Sequence, residues 1–288
     1  MENKHYSILE GDARETLKNL EDKSVQTCIT SPPYWGLRNY EHPDQIGNEI
    51  SPELYIENLL KIFSEVYRVL KDNGTFWLNI GDSYASYKDS KVTPQSFNKN
   101  ISNCMKVFSG ANNRNPKILK KAGIKNKELC GIPWKVAFAL QKQGWYLRQD
   151  IIWFKKNPMP ESVKDRCTRS HEYLFLFTKK EKYLYNQNSI KEKTSDGKLK
   201  NKRDVWTTKT SKFKGGHFAT FPIELIEPCV LAGSNENDII LDTFHGSGTT
   251  CIASLNNRRR YIGCELNPEY ISISKKRIKE ETIKNTLF

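Results

Sequence analysis

The stretch Asp242-Thr-Phe-His-Gly-Ser-Gly-Thr-Thr250 governs how the rest of the chain folds around it. It follows the apolar run Asp238–Leu241, which reads as a strand, and precedes Thr250–Leu255, which reads as a helix. A glycine-rich turn between strand and helix lets backbone approach a ligand closely, because Gly246 and Gly248 carry no Cβ. Seventeen residues past Gly248, Glu265 ends the next predicted strand, a place from which an acid reaches ribose hydroxyls. The unit predicts a site for a nucleoside-bearing cofactor. A dinucleotide fingerprint wants a third glycine where Cys251 stands, which argues against NAD.

The sequence predicts strands over Tyr6–Leu9, Val25–Thr30, Thr75–Ile80, Leu147–Trp153, Tyr173–Thr178, Asp238–Asp242 and Tyr261–Glu265. Helical patterns lie between several of them. Pro52–Leu70 sets Leu59, Ile62, Phe63, Val66 and Leu70 on one face, with Pro52 in the first turn and Asn73-Gly74 expected as the C-cap. Pro133–Gln143, Pro222–Leu231 and Pro268–Glu281 repeat the proline-led pattern. Alternating strands and helices imply an α/β fold with a doubly wound, mainly parallel sheet of seven strands. In such folds the ligand-binding turn sits at the sheet's centre, yet here it lies late in the chain. The order is therefore circularly permuted, and Tyr6–Leu9 continues the row beyond Glu265. Asp12, just after that strand, either reaches the cofactor or caps a helix opening at Ala13.

Composition bounds the partners. The chain has 288 residues, 37% of them hydrophobic and 11% aromatic, enough for a packed core, and no linker or repeat divides it, so one domain over 1–288 is expected. No apolar run approaches ~18 residues, which excludes a membrane-spanning helix. The first fifteen residues carry acids and no apolar core segment, so no signal peptide is expected. Seven cysteines without a C-x-x-C pair argue against a disulfide framework and against a zinc site, and no metal is expected. The net charge of +13 points to a polyanion. Residues 84–130 hold ten Lys/Arg against two acids, and residues 186–216 hold nine against three. These two basic insertions account for essentially all the excess. Either they are solvated loops or they form a groove for phosphates, with Lys117, Lys120 and Lys121 in the first and Lys198, Lys200 and Lys202 in the second as candidate contacts.

The other informative stretch is Ile29-Thr-Ser-Pro-Pro-Tyr-Trp35, at the end of a predicted strand. Its two prolines fix the backbone and remove donors, leaving the Ser31 and Pro32 carbonyls as outward acceptors. Rigid acceptors beside two exposed aromatics, Tyr34 and Trp35, suit a planar group that bears an amine. The alternative is a rigid turn with both aromatics in the core.

Together these segments resemble the amino-methyltransferases of DNA in the permuted order called the β group. Ser31-Pro-Pro-Tyr34, with Thr30 before it, looks like the cytosine-N4 branch. Gly11-Asp12-Ala13, Gly74–Tyr84 (GTFWLNIGDSY), Trp145–Lys155, Ser170–Phe177 (SHEYLFLF), His217–Pro222 (HFATFP) and Glu265-Leu-Asn-Pro268 are similar to further family motifs in family order. The resemblance implies a Rossmann-like class I methyltransferase fold and S-adenosylmethionine as cofactor. It implies that Ser31, Pro32, Pro33 and Tyr34 hold the target base. Asp242, Phe244, Gly246, Ser247 and Gly248 would line the cofactor, Glu265 would bind its ribose, Asp12 its adenine end, and Phe218, Thr220 and Pro222 its methionine end. Thr243 departs from the family's usual proline. Double-stranded DNA is the implied partner, a cognate restriction endonuclease and a second copy of the chain are further candidates, and the expected setting is the cytoplasm of a prokaryote or its phage.

The chemistry points the same way. A base inside a duplex hides its amine, so the enzyme must flip it out. Cytosine's N4 lone pair is delocalised into the ring, and acceptors at Ser31 and Pro32 would favour a pyramidal nitrogen aimed at the methyl group. Cytosine-C5 chemistry would need a cysteine nucleophile, but the only Pro-Cys, Pro228-Cys229, lies in an apolar helical run and reads as core. Methylation of adenine N6 on the same fold is the near alternative, and a DNA-binding relative without catalysis the distant one. His171-Glu172 reads as a structural pair, Trp134, Trp145 and Trp153 as core or groove wall, and Lys155, Lys156, Arg166 and Arg169 as either phosphate contacts or solvated charges. His245 has no argued role.

Overall fold

The computed structural model describes residues 5–37, 42, 44–86, 119, 120, 122–210 and 221–285, the final three by backbone alone. Its strands are β1 (Tyr6–Glu10), β2 (Val25–Thr30), β3 (Leu70–Ile80), β4 (Tyr146–Lys155), β5 (His171–Thr178), β6 (Glu192–Lys193), β7 (Leu199–Lys200), β8 (Val205–Thr208), β9 (Ile239–Asp242) and β10 (Arg260–Glu265). The helices are α1 (Ala13–Thr16), α2 (Pro52–Val69), α3 (Ile132–Lys142), α4 (Ile223–Gly233), α5 (Thr249–Asn256) and α6 (Pro268–Asn285). Each of the seven strands read from the sequence is present.

The main sheet runs β1-β10-β9-β2-β3-β5-β4-β8. It holds eight strands, one more than expected. The eighth, β8, comes from the second basic segment and pairs parallel with β4, Trp206 opposite Trp153. It escaped the sequence reading because only Trp206 of its four residues is buried and lysines surround it. The same segment forms a separate two-stranded ribbon, β6 with β7. Of the main strands, β5 alone runs antiparallel to its neighbours β3 and β4. As expected, β1 extends the row beyond β10, from Tyr6 opposite Tyr261 to Glu10 opposite Glu265.

Helices cover both faces, which is why all six residues of β2 are buried. On one face α2 buries Tyr55, Leu59, Ile62, Phe63, Val66 and Val69, a helical spacing that presses Phe63 to 4.9 Å from Phe76 of β3. Trp145 closes this core 5.2 Å from Phe76. On the other face α4, α5 and α6 pack Ile226, Ile252 and Ile278 against Trp77 and Ile240. Cys229 is buried there, as the apolar run around it implied.

One expected turn is absent. Helix α2 ends at Val69, and Leu70 goes straight into β3 with extended backbone, so Asn73-Gly74 is no C-cap. Gly74 is needed for close approach instead: a Cβ there would lie 2.6 Å from Leu70 Cγ and 2.8 Å from the Gln26 carbonyl of β2.

Strand β9 has β10 on one side and β2 on the other, and the chain leaves these neighbours in opposite directions. That reversal opens a crevice beyond their carboxyl ends. The glycine-rich turn after β9 and Ser31–Tyr34 after β2 both face into it.

Candidate active site

A cavity of about 510 Å³ fills the crevice, within the range of small-molecule sites. One end is built by Asp12, Phe244, Gly246, Ser247 and Glu265, the other by Ser31, Tyr34, Asn79, Trp153 and Glu172.

The glycine-rich turn is held by hydrogen bonds from both sides. Gly246 and Gly248 have φ of 53° and 80°, a left-handed conformation that glycine adopts without strain. Gly248 caps α5 rather than lining the cavity, and a Cβ on it would press Ile278 and His245 at 3.2 and 3.3 Å. Glu265 Oε2 accepts from the Gly246 amide at 2.8 Å, and Oε1 accepts from the Asn267 amide at 2.9 Å. Burial raises the Glu265 pKa, against the pull of those amides. The carboxylate also lines the cavity.

Asp242 joins the two motifs. Its Oδ1 accepts from Thr30 Oγ1 at 2.6 Å and from the Phe244 amide at 3.0 Å, while Oδ2 accepts from Thr250 Oγ1 at 2.7 Å. Thr243 Oγ1 lies 3.1 Å from the same Thr30 hydroxyl. A threonine where a proline is usual thus adds a polar link between the turn and the residue preceding Ser31. Burial pushes the Asp242 pKa up.

His245 had no role in the sequence reading because its partners lie far along the chain. Its Nδ1 is 2.7 Å from Tyr261 Oη and its Nε2 is 2.8 Å from Ser274 Oγ. Burial pushes its pKa down to about 3, so the ring is neutral. Arg277 of α6 adds donors to Ser247 Oγ at 2.8 Å and Thr249 Oγ1 at 2.9 Å.

Asp12 satisfies both of its sequence readings in position. It caps α1 by accepting from the Arg14 amide at 2.8 Å, pairs with the Arg14 guanidinium, and lines the cavity. Partial burial would raise its pKa, but the hydrogen bonds and charge of Arg14 hold it below the usual carboxylate value. Pro222 is the residue before α4 and stands outside the cavity wall, which Phe221 joins instead. Phe218 and Thr220 lie outside the described residues.

At the other end Ser31, Pro32, Pro33 and Tyr34 line the cavity together. The Pro33 carbonyl is taken by the Tyr55 hydroxyl at 2.8 Å. Trp35 is not an exposed aromatic: it is 3% exposed and donates to the Glu49 carbonyl at 2.9 Å. Tyr34 is half-buried, and its hydroxyl donates to Glu172 Oε2 at 2.7 Å, with Asn79 Oδ1 3.2 Å away. Burial, then the Glu172 charge, drives its pKa well above the usual phenol value. Gly81 makes room for the ring, since a Cβ there would sit 2.6 Å from Tyr34 Cε2.

Glu172 is therefore a cavity-wall residue, not simply half of a structural His-Glu pair. Its other oxygen pairs with Lys155, whose ammonium lies 4.6 Å above the Trp153 ring. That engagement removes Lys155 from the candidate phosphate contacts. Arg166 lies 3.7 Å over the Tyr84 ring and pairs with Glu161, and Arg169 donates to the Asp82 carbonyl, so both brace their loop.

Of the six lysines expected to meet phosphate, Lys117 and Lys121 lie outside the described residues. Lys120 lies at position 120 of the first basic segment, Lys198 pairs with Asp196 at 3.2 Å, and Lys200 is on β7. Lys202 pairs with Glu192 at 3.0 Å and lies 4.9 Å over Trp206. Among the described residues no helix is long and apolar enough to cross a membrane.

Residues 25–276 match the family described as DNA methylase, of N6 and N4 type. The chain is 48% identical over 275 residues to the type II methyltransferase M.Cfr9I of Citrobacter freundii, covering 96% of this chain and 88% of that protein. It is 48% identical over 273 residues to the type II methyltransferase M.SmaI of Serratia marcescens, covering 94% and 90%. Among solved structures, the PvuII DNA methyltransferase, described as cytosine-N4-specific, matches with a TM-score of 0.70 at 18% identity, over 98% of this chain and 93% of that one. A putative DNA modification methylase of Thermus thermophilus, solved with S-adenosyl-L-methionine, matches with a TM-score of 0.63 at 24% identity, over 96% and 95%. These two likenesses concern the fold.

The chain belongs to the N6/N4 DNA methylase family. It is a DNA methyltransferase that uses S-adenosylmethionine. The cavity suits that cofactor: a positive-φ glycine whose Cβ position is open to 3.8 Å lets a ligand approach the backbone closely, and a buried carboxylate stands in the lining at the end of β10.

Proposed function

We propose that this chain methylates the exocyclic N4 of a cytosine flipped out of duplex DNA, as the modification half of a type II restriction-modification pair. The observation that carries this reading is the Thr30–Asp242 link, which fixes Ser31 and Pro32 beside the cofactor turn. The type II relatives support the modification role, and a serine at position 31 supports cytosine N4 over adenine N6.

In this reading Glu265 takes the ribose, Asp12 the adenine end, and Phe244 and the Gly246 turn the body of the cofactor. Phe218 and Thr220 serve its methionine end. S-adenosylmethionine supplies a methyl group on a sulfonium, an electrophile that needs no covalent enzyme intermediate. Ser31 Oγ and the Pro32 carbonyl accept the N–H bonds of the base amine, and Tyr34, anchored by Glu172, stacks on the ring. Cys229 supplies no C5 nucleophile, since it is buried and burial pushes its thiol pKa well up. The chain works as one domain in permuted β-group order, and the segments 84–130 and 186–216 embrace the DNA. Base-resolved sequencing of DNA exposed to the protein tests this. Methylation at cytosine N4 within one sequence context is expected; N6-methyladenine instead would overturn the cytosine assignment.

A further inference from the structure

Among the described residues, Met159 is the most exposed large hydrophobic side chain, at 74%. It is also a lining residue of the cavity, so it stands at the mouth rather than on an unrelated face. Its place in the lining, not its exposure alone, is what sets it where DNA entering the site would meet it.

Its backbone is held firmly. Met159 lies between Pro158 and Pro160, which fix φ on both sides and offer no N–H. The Lys156 amide donates to the Thr208 carbonyl at 3.1 Å, and Asn157 Oδ1 accepts from the Thr210 amide at 2.8 Å. Beyond the prolines, Glu161 receives Arg166, which stacks on Tyr84. The loop thus presents one flexible apolar side chain from a stiff, pinned base. Lys156 and Lys164 flank it, exposed and without an ion pair among the described residues, so the charge beside Met159 suits a phosphate backbone.

Flipping a base leaves a gap between its two former stacking neighbours, opposite an unpaired partner base. Proteins that open the base stack insert apolar side chains such as Phe, Leu, Ile or Met into it, offsetting a few kcal/mol of lost stacking. Methionine suits that task because its thioether adapts to the faces of bases. We propose that Met159 enters the DNA stack and occupies the space vacated by the flipped target base. The inference rests on the base-flipping reading above and deepens it.

The test compares wild type, Met159→Ala and Met159→Leu on a duplex carrying the site mapped by sequencing. A second duplex carries an abasic position opposite the target, which makes extrusion cheap. Met159→Ala is expected to lose about tenfold or more in kcat/KM on the paired duplex, and less than about threefold on the abasic one. Met159→Leu should recover most of the loss, and cofactor affinity by calorimetry should stay unchanged in both variants. Equal loss on the two duplexes, no loss on either, or weakened cofactor binding would overturn the inference. A fluorescent base analogue at the target position that does not brighten when wild type binds would overturn the base-flipping reading itself.

Discussion

The Tyr34 hydroxyl, from the turn after β2, donates to the Glu172 carboxylate of β5 at 2.7 Å, joining residues 138 positions apart. This bond sets the plane of the ring proposed to stack on the target base, and Lys155 pairs with the other Glu172 oxygen. Glu172→Ala should lower methyl transfer more than tenfold, because it frees the ring and leaves Lys155 unpaired in the wall. Tyr34→Phe, which keeps the ring, should cost only a few-fold, and Tyr34→Ala should cost the stacking itself, about 1–3 kcal/mol. Steady-state kinetics at saturating cofactor separates the three. Equal losses in Tyr34→Phe and Tyr34→Ala would show that stacking is not the ring's task.

Glu265 faces two demands, the Gly246 turn and the cofactor. Glu265→Ala is expected to weaken cofactor binding by roughly 1.5–3 kcal/mol, the worth of hydrogen bonds to a charged group. Isothermal calorimetry reads this directly, and wild-type affinity in the variant would remove Glu265 from the cofactor site.

The two ends of the cavity differ in how far they can be read in advance. The glycine-rich turn and Ser31–Tyr34 are contiguous motifs whose residue types and spacing are visible in the sequence, and Glu265 stands at a fixed offset from the turn it binds. Glu172, Lys155 and His245 act through partners 16 to 138 positions away, and only the tertiary fold brings those together. Trp35 reads as exposed in the sequence because the turn that buries it against the Glu49 carbonyl has no periodic signature. Strand β8 is hidden for a similar reason: its edge position leaves one buried residue in four.

His245 gives the fold a pH signature. Its folded pKa of about 3 lies below the ordinary value near 6.5, so the unfolded chain binds more protons between the two. Stability from this group is fully present above about pH 6.5 and falls by up to about 1.4 kcal/mol per pH unit below it. Urea unfolding at pH 7 and pH 5 should show this loss in the wild type and a shallower loss in His245→Gln. An unchanged slope in the variant would assign the acid sensitivity to other groups.

The basic segments carry the proposed grip on DNA. Replacing Lys198, Lys200 and Lys202 together, and separately Lys117, Lys120 and Lys121, should flatten the salt dependence of DNA affinity by nearly one unit per lost phosphate contact. Lys202 should contribute least, since Glu192 and Trp206 already engage it. If neither triple variant alters the slope while both bind cofactor, the DNA groove lies elsewhere.

Transfer to cytosine N4 by acceptors at Ser31 and Pro32 is the reaction proposed for this site. The direct measurement incubates duplex DNA with the protein and methyl-labelled S-adenosylmethionine, digests it to nucleosides and identifies the labelled species by mass. The account predicts N4-methyldeoxycytidine from the wild type, and from Ser31→Ala a yield reduced at least tenfold with cofactor affinity unchanged. Label in N6-methyldeoxyadenosine or 5-methyldeoxycytidine, or wild-type turnover in Ser31→Ala, would contradict it.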